Sequence, residues 1–125
     1  MVEYKTGFYE HRNYNYGQIL YQPMVIMKWK NISNEPVTER IEIEGVFIDN
    51  KKEEEWSKGS DYFQSSSGTP LQVGLSRQSS LQSSVGWTSY NAISGSDVSC
   101  QIFINKQLYR TVKINNVHLT SNRIQ

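Results

Sequence analysis

Aromatic side chains are the residues of this sequence best suited to binding. The chain has eight Tyr and three Trp, and aromatics make up 12% of its 125 residues. Trp29 and Trp87 are in phase with apolar neighbours and are expected in the core, whereas Trp56 follows a charge run. Exposed Trp and Tyr rings stack on sugars or partner surfaces and dominate binding hot spots. We predict that Trp56, Tyr62 and Tyr90 bind a ligand. The alternative is that the aromatic side chains of this chain cover a small core.

Nucleophilic and metal-binding chemistry has little support in the sequence. The two histidines, His11 and His118, lie near opposite ends and form no spaced pair such as H-x-H. They can meet only if the termini do, and two solvated histidines are the simpler expectation. The single cysteine, Cys100, alternates with apolar residues, so a buried and inert thiol is expected. We therefore predict no catalytic residue, no metal site and no cofactor.

Acidic side chains offer two further possibilities. Glu42 and Glu44 share one face of a predicted strand, ~7 Å apart. Glycosidase carboxylates work at such a separation, but a polar sheet face also explains this pair. Asp49, Asn50 and the Glu run after them could bind calcium through oxygen ligands, although the D-x-[DN]-x-[DN]-G spacing is absent. The G-x-S-x-G, Walker and G-x-G-x-x-G motifs are absent too, and residues 31–33 form a glycosylation sequon.

Composition and charge exclude several classes of protein. Lys and Arg total 13 and Asp and Glu total 12, which gives a formal net charge of +1. This balance argues against an electrostatic nucleic-acid binder, which carries a clear basic excess. No apolar run approaches the ~20 residues of a membrane helix, so no transmembrane segment is predicted. A single Cys excludes an internal disulfide and a multi-cysteine zinc site.

Alternation of apolar and polar residues predicts β-strands along most of the chain. Val, Ile, Tyr and Thr are common and Ala occurs once, which favours strands over helices. The period-two pattern of a half-buried strand occurs in residues 19–31, 37–49, 76–88 and 98–114. Six or seven short strands with regularly spaced turns are typical of a sandwich. The predicted fold is all-β, an antiparallel immunoglobulin-like β-sandwich of about seven strands, with a small barrel as the alternative.

Turn-forming residues indicate how these strands connect. Residues 31–36 are predicted to join the first two strands into an antiparallel hairpin, and residues 105–107 to form the turn of a second hairpin. Residues 56–63 are predicted to form a short edge strand. The predicted organisation is a polar, Tyr-rich segment at 1–18, a β-sandwich domain at 19–116 and a C-terminal tail at 117–125. The first segment could add a strand to a sheet edge, in this chain or in a neighbouring subunit.

Three stretches carry a resemblance to a known family. Residues 30–37 are similar to an N-x-S-x-x-P-V link that follows a first core strand. Residues 46–49 are similar to an aromatic or aliphatic strand ending in Asp, and residues 70–76 to a P-L-x-P-G-x-S turn that opens a later strand. Together they resemble the FxLYD-type domains of bacterial envelope proteins, which are similar to the LEA-14-type fold, although Gly45 stands at the family's Phe position. The resemblance implies an immunoglobulin-like sandwich, an envelope or extracellular setting and no catalytic residues.

The expected function is that of a non-enzymatic binding or structural accessory domain of a bacterial cell-envelope or secreted protein, acting by surface recognition. This setting assumes that a signal peptide was removed, because residues 1–18 lack an apolar export segment; otherwise the protein is cytoplasmic. The alternatives are a carbohydrate-binding module and a structural subunit of a virion, pilus or secretion complex. The expected partner is a protein or a glycan and not a nucleic acid, and strand edges allow self-association. A hydrolase is least favoured, since His11 and His118 would have to converge on a carboxylate or Cys100.

Overall fold

The strands of the protein form two four-stranded sheets that pack face to face. The structure is a computed structural model that describes residues 1, 3–13, 18–63, 70–86 and 90–120. Its elements are β1 (Glu3–Asn13), β2 (Gln18–Lys30), β3 (Ile41–Asp49), β4 (Glu54–Phe63), β5 (Ser76–Gln82), a 3-10 helix (Tyr90–Gly95), β6 (Val98–Ile104), β7 (Gln107–Lys113) and β8 (His118–Leu119). The predicted all-β antiparallel sandwich is confirmed, with eight strands in place of about seven.

Each sheet contains strands that are neighbours both along the chain and in space: β1 and β2 in the first sheet, and β3 with β4 and β6 with β7 in the second. The first sheet has the order β5-β2-β1-β8 and the second has the order β4-β3-β6-β7. All neighbours pair antiparallel except β1 and β8, which pair in parallel through Phe8↔His118 and Tyr9↔Leu119. Both terminal segments of the chain therefore contribute strands to the first sheet.

The predicted hairpin between residues 19–31 and 37–49 is wrong. β2 pairs with β1 and β5 in the first sheet, whereas β3 pairs with β4 and β6 in the second. The link between β2 and β3 crosses from one sheet to the other. Its path is held by Asn31, whose side-chain amide donates hydrogen bonds to the carbonyl oxygens of Glu35 at 2.8 Å and Leu71 at 2.9 Å. The bond to Glu35 shapes the link locally, and the bond to Leu71 ties the link to a segment 40 residues away.

Other local predictions have different outcomes. The hairpin that turns at residues 105–107 is confirmed as β6 and β7, and residues 56–63 lie in the edge strand β4. The predicted strand at 76–88 is too long, because β5 ends at Gln82. The Ser83 hydroxyl accepts a hydrogen bond from the Val85 amide at 3.0 Å, and such a local side-chain turn competes with strand pairing. Trp87 lies outside the described residues.

The core fills the space between the sheets with residues from nearly every strand. Its buried members are Phe8, Val25, Met27, Trp29, Ile43, Phe47, Leu81, Ile93, Val98, Cys100, Ile102, Val112 and Ile114. Packing is close at the centre, where a Cβ at Gly45 would lie 2.9 Å from Leu81 Cδ1 and 3.0 Å from Cys100 Sγ. A Phe side chain has no room at this position, because Leu81 and Cys100 already occupy the space.

Candidate functional site

The structure describes the backbone of the three residues predicted to bind a ligand. Trp56 and Tyr62 belong to the edge strand β4, and Tyr90 begins the 3-10 helix. Trp56 is the extra residue of a β-bulge, because Phe47 pairs with Ser57 and Ile48 pairs with Glu55. The side chains of Trp56, Tyr62 and Tyr90 lie outside the described residues, so their binding role stays a prediction.

An exposed apolar surface of the described chain lies on and beside β7. β7 is the last strand of the second sheet, and only its β6 side is paired among the described strands. Leu108 is 57% exposed and Tyr109 is 42% exposed, and Tyr4 on β1 is 45% exposed. Isolated apolar residues are common on protein surfaces, but here they stand together at an unpaired strand edge. We name Tyr4 together with residues 107–112 the β7 edge surface.

A cation between two aromatic rings lies at the centre of the β7 edge surface. The Arg110 guanidinium carbon is 5.7 Å from the ring centroid of Tyr4 and 5.9 Å from that of Tyr109. Both distances are within the range of a cation–π attraction, which holds the long Arg side chain in place. Among the described residues, no carboxylate forms an ion pair with Arg110. Its N–H groups can therefore donate to an incoming acceptor.

A β-bulge determines the direction of the Tyr109 side chain. In the β6–β7 register Ile102 pairs with Arg110 and Phe103 pairs with Leu108, which leaves Tyr109 as the extra residue. Bulges redirect side chains, and Tyr109 lies against Trp29 of the core with the ring centroids 5.6 Å apart. Sequence alternation alone puts Leu108 and Val112 on one face of this strand and misses the surface. The signal that could have found it is the Leu-Tyr-Arg run on the last strand of a hairpin.

An apolar pocket opens at one end of the sandwich, between the two sheets. Its volume is about 260 Å³, and it is lined by the end of β2, the link after it, the start of β3, the end of β6 and Leu71. The lining side chains are mainly apolar: Trp29, Ile32, Val37, Ile41, Ile43, Leu71 and Ile104, with Lys30, Asn31 and Ser33. The Val37 and Leu71 backbones exchange two hydrogen bonds of 2.9 Å that close one wall. We name this site the end pocket.

Polar side chains around the end pocket are engaged in hydrogen bonds with other groups of the protein. The Asn31 side chain donates to two carbonyl oxygens, and its Oδ1 accepts from the Ser33 amide at 3.0 Å and the Ser33 hydroxyl at 2.6 Å. The Trp29 indole N–H donates to the Ser79 hydroxyl at 2.8 Å. The end pocket is therefore preformed and mostly apolar, as ligand sites commonly are.

The glycosylation sequon at residues 31–33 is not accessible in the folded protein. Asn31 is buried and its side-chain amide is fully hydrogen-bonded, so the amide is not presented for glycosylation.

A shallow groove lies on the outer face of the second sheet. Its volume is about 480 Å³, and it is lined by Glu44, Gly45, Val46, Lys58, Gly59, Ser60, Phe103 and Lys106. Glu44 thus stands among two lysines, while Glu42 is exposed beyond the lining. The groove therefore combines one apolar ring with mixed charges and does not present a pair of converging carboxylates.

Cysteine and histidine occupy packed positions. Cys100 is fully buried, and burial raises the pKa of its thiol from 9.0 to about 12, so it carries its proton at neutral pH. A protonated thiol is a poor nucleophile. The His118 ring meets the Tyr21 ring edge-on with centroids 5.6 Å apart. The side chain of His11 lies outside the described residues.

Burial of the thiol gives a pH-dependent prediction. Because the folded-state pKa lies above that of the exposed thiol, the contribution of Cys100 to stability is complete below pH 9.0 and decreases as pH rises towards about 12. We expect the Tm of the native protein to fall more steeply over this pH range than that of Cys100→Ala. Thermal unfolding followed by circular dichroism at stepped pH measures both slopes. Parallel slopes would contradict the burial of an un-ionised thiol.

The acidic turn after β3 has a structural role. Asp49 is buried, and its Oδ1 accepts a hydrogen bond from the Lys51 amide at 3.0 Å. The Asn50 side chain donates to the Asp97 carboxylate at 3.1 Å and to the Ser99 hydroxyl at 2.7 Å. These bonds tie the turn between β3 and β4 to the start of β6. In the part of the chain that is described, no three His, Cys, Asp or Glu side chains are grouped to hold a metal ion.

No protein family, curated protein or solved structure matches this chain at a significant level. Within the described ranges, no helix has the length and apolar character needed to span a bilayer. The β7 edge surface and the end pocket are therefore the observations that indicate a function.

Proposed function

We propose that this protein is a non-enzymatic binding domain that recognises an extended segment of a protein partner by adding it as a strand beside β7. The observation that carries the proposal is the β7 edge surface, where exposed Leu108 and Tyr109 lie at the unpaired side of a sheet. An unpaired edge offers backbone donors and acceptors to a new strand, and neighbouring side chains select its sequence.

The charge of the edge indicates the kind of segment. The stretch Gln107–Lys113 contains two basic residues, Arg110 and Lys113, and no acidic residue, and Lys106 precedes it. A partner strand that alternates apolar residues with Asp or Glu would cover Leu108 and Tyr109 and pair with Arg110. The segment expected to bind is therefore extended and acidic.

The same charges disfavour pairing of β7 with the β7 of a second copy. In an antiparallel pair centred on Arg110, that residue faces its own copy, and like charges directly opposite each other destabilise a sheet. Self-association through strand edges thus has less support here than binding of a different protein.

The setting we propose is a bacterial cell envelope or a secreted protein, in which this chain is an accessory domain. The support for it is the resemblance of residues 30–37, 46–49 and 70–76 to FxLYD-type and LEA-14-like immunoglobulin-like domains. A sandwich suits such a role, because its two sheets form a rigid support for a recognition surface at a strand edge.

The proposal predicts which peptides the protein selects. A phage library of random short peptides, panned on the immobilised full chain, is expected to yield sequences that alternate apolar and acidic residues. The affinity of a selected peptide, measured by calorimetry, is expected to fall about tenfold or more in Arg110→Glu, because opposed like charges are costly across an interface. Backbone amide shifts on peptide binding are expected within residues 107–112.

The matched control is Lys52→Glu, which makes the same change of net charge at an exposed position in the turn between β3 and β4. This variant is expected to bind the peptide as the native protein does. The proposal fails if both variants bind equally well, or if the selected peptides carry no acidic bias. It also fails if sedimentation shows a dimer of the native chain that the selected peptide dissociates.

A further inference from the structure

We infer that the end pocket binds a small amphipathic anion, namely a free aliphatic carboxylate of about eight carbons. The end pocket and the β7 edge surface use different charged residues, so this inference does not depend on the proposed function. It rests on the volume, the lining and the charge of the pocket.

The volume sets the size of the ligand. The end pocket measures about 260 Å³. A water molecule occupies about 30 Å³ of liquid, so the space corresponds to roughly nine water-sized groups. A short aliphatic chain fills this space, whereas the long chains of a membrane lipid exceed it.

The lining sets the chemistry of the ligand's tail. Four Ile side chains, at 32, 41, 43 and 104, line the pocket together with Val37 and Leu71. The neighbouring polar groups of Asn31 and Trp29 are engaged in hydrogen bonds with the protein. Water inside would find few partners, so an apolar chain that displaces it gains the free energy of burying apolar surface.

The charge at the pocket favours an anionic head group. Lys30 is the charged residue among the described residues that line the pocket, and it is exposed at the end of β2. No described carboxylate belongs to the lining, so nothing there repels a negative head group. An exposed Lys–carboxylate pair adds little to affinity, so its main effect is to favour a negative over a positive head group.

Isoleucine methyl labelling of the full chain provides the test. Octanoate titrated into the labelled protein is expected to shift the δ1 methyl signals of Ile32, Ile41, Ile43 and Ile104 in a saturable manner. The methyls of buried Ile26 and Ile93, outside the lining, serve as internal controls and are expected to stay in place. Octylammonium has the same chain and the opposite charge, and it is expected to bind at least severalfold more weakly.

Two charge variants separate the head-group contact from general binding. Lys30→Glu is expected to weaken octanoate binding about fivefold, because it replaces an attraction by a repulsion. Lys28→Glu changes the same charge two residues earlier on β2, outside the lining, and is expected to leave the affinity unchanged. The inference is overturned if octanoate shifts none of the four methyls, or if octylammonium binds as well as octanoate. Equal weakening by the two variants would also overturn it.

Discussion

Replacing Phe8 by Ala is expected to lower the free energy of unfolding by about 3–5 kcal/mol, the typical effect of removing a buried aromatic ring. Phe8 lies in the polar N-terminal segment, yet its side chain is fully buried in the main core. It is held there because β1 pairs with β2 in continuous register from Glu3 to Asn13. A loss of this size is a large part of the stability of a small domain.

Tyr4→Ala is the control for this prediction. Tyr4 is an aromatic residue on the same strand and on the same side, but it is 45% exposed. Urea unfolding of both variants is expected to show a small effect at Tyr4 and a large one at Phe8. If Phe8→Ala costs no more than Tyr4→Ala, β1 is not an integral part of the sandwich.

Gly59→Ala is expected to lower the free energy of unfolding by about 1–3 kcal/mol through steric strain. At this position β4 crosses close to β5, and a Cβ would lie 2.6 Å from the Gln82 carbonyl oxygen and 3.2 Å from its amide nitrogen. These are backbone atoms, so no side chain can rotate away. The two strands are also joined by the Ser80 amide, which donates to the Asp61 carboxylate at 2.9 Å, and by a hydrogen bond between Ser57 and Ser83.

Gly95→Ala is the matched control for Gly59→Ala. Nothing lies within 4 Å of a Cβ built at Gly95, and its backbone is not in the left-handed region. Chemical denaturation is expected to give Gly95→Ala nearly native stability. Equal stabilities of the two alanine variants would show that β4 and β5 do not approach as closely as the structure places them.

Sequence patterns identified the sandwich but not the β7 edge surface. Alternation of Val98, Cys100 and Ile102 with polar residues correctly indicated a buried face and a buried thiol. The same rule applied to β7 treated Leu108 as an inward residue. The bulge at Tyr109 shifts the register by one residue, and a shift of one residue moves a side chain to the other face of the sheet. Bulges carry no strong signature in a single sequence.

Local sequence patterns are sufficient to specify the class of fold and its local elements. The period-two pattern, the scarcity of Ala and the turn residues at 105–107 specify strands and a hairpin, because these depend on neighbours along the chain. The exclusion of an internal disulfide likewise follows from counting one Cys. Alternation tells which side of a strand is buried, and that was sufficient to predict two packed layers.

Which strands pair, and which surfaces result, depends on contacts between distant parts of the chain. The assignment of β2 and β3 to different sheets depends on hydrogen bonds between distant residues, such as that from Asn31 to Leu71. The end pocket joins Trp29, Ile41, Leu71 and Ile104, which no spacing along the chain brings together. Alternation is a local property and does not encode partners, whereas pairing is selected by the total of many long-range contacts. The β7 edge surface and the end pocket therefore arise from the arrangement of the strands and not from local sequence.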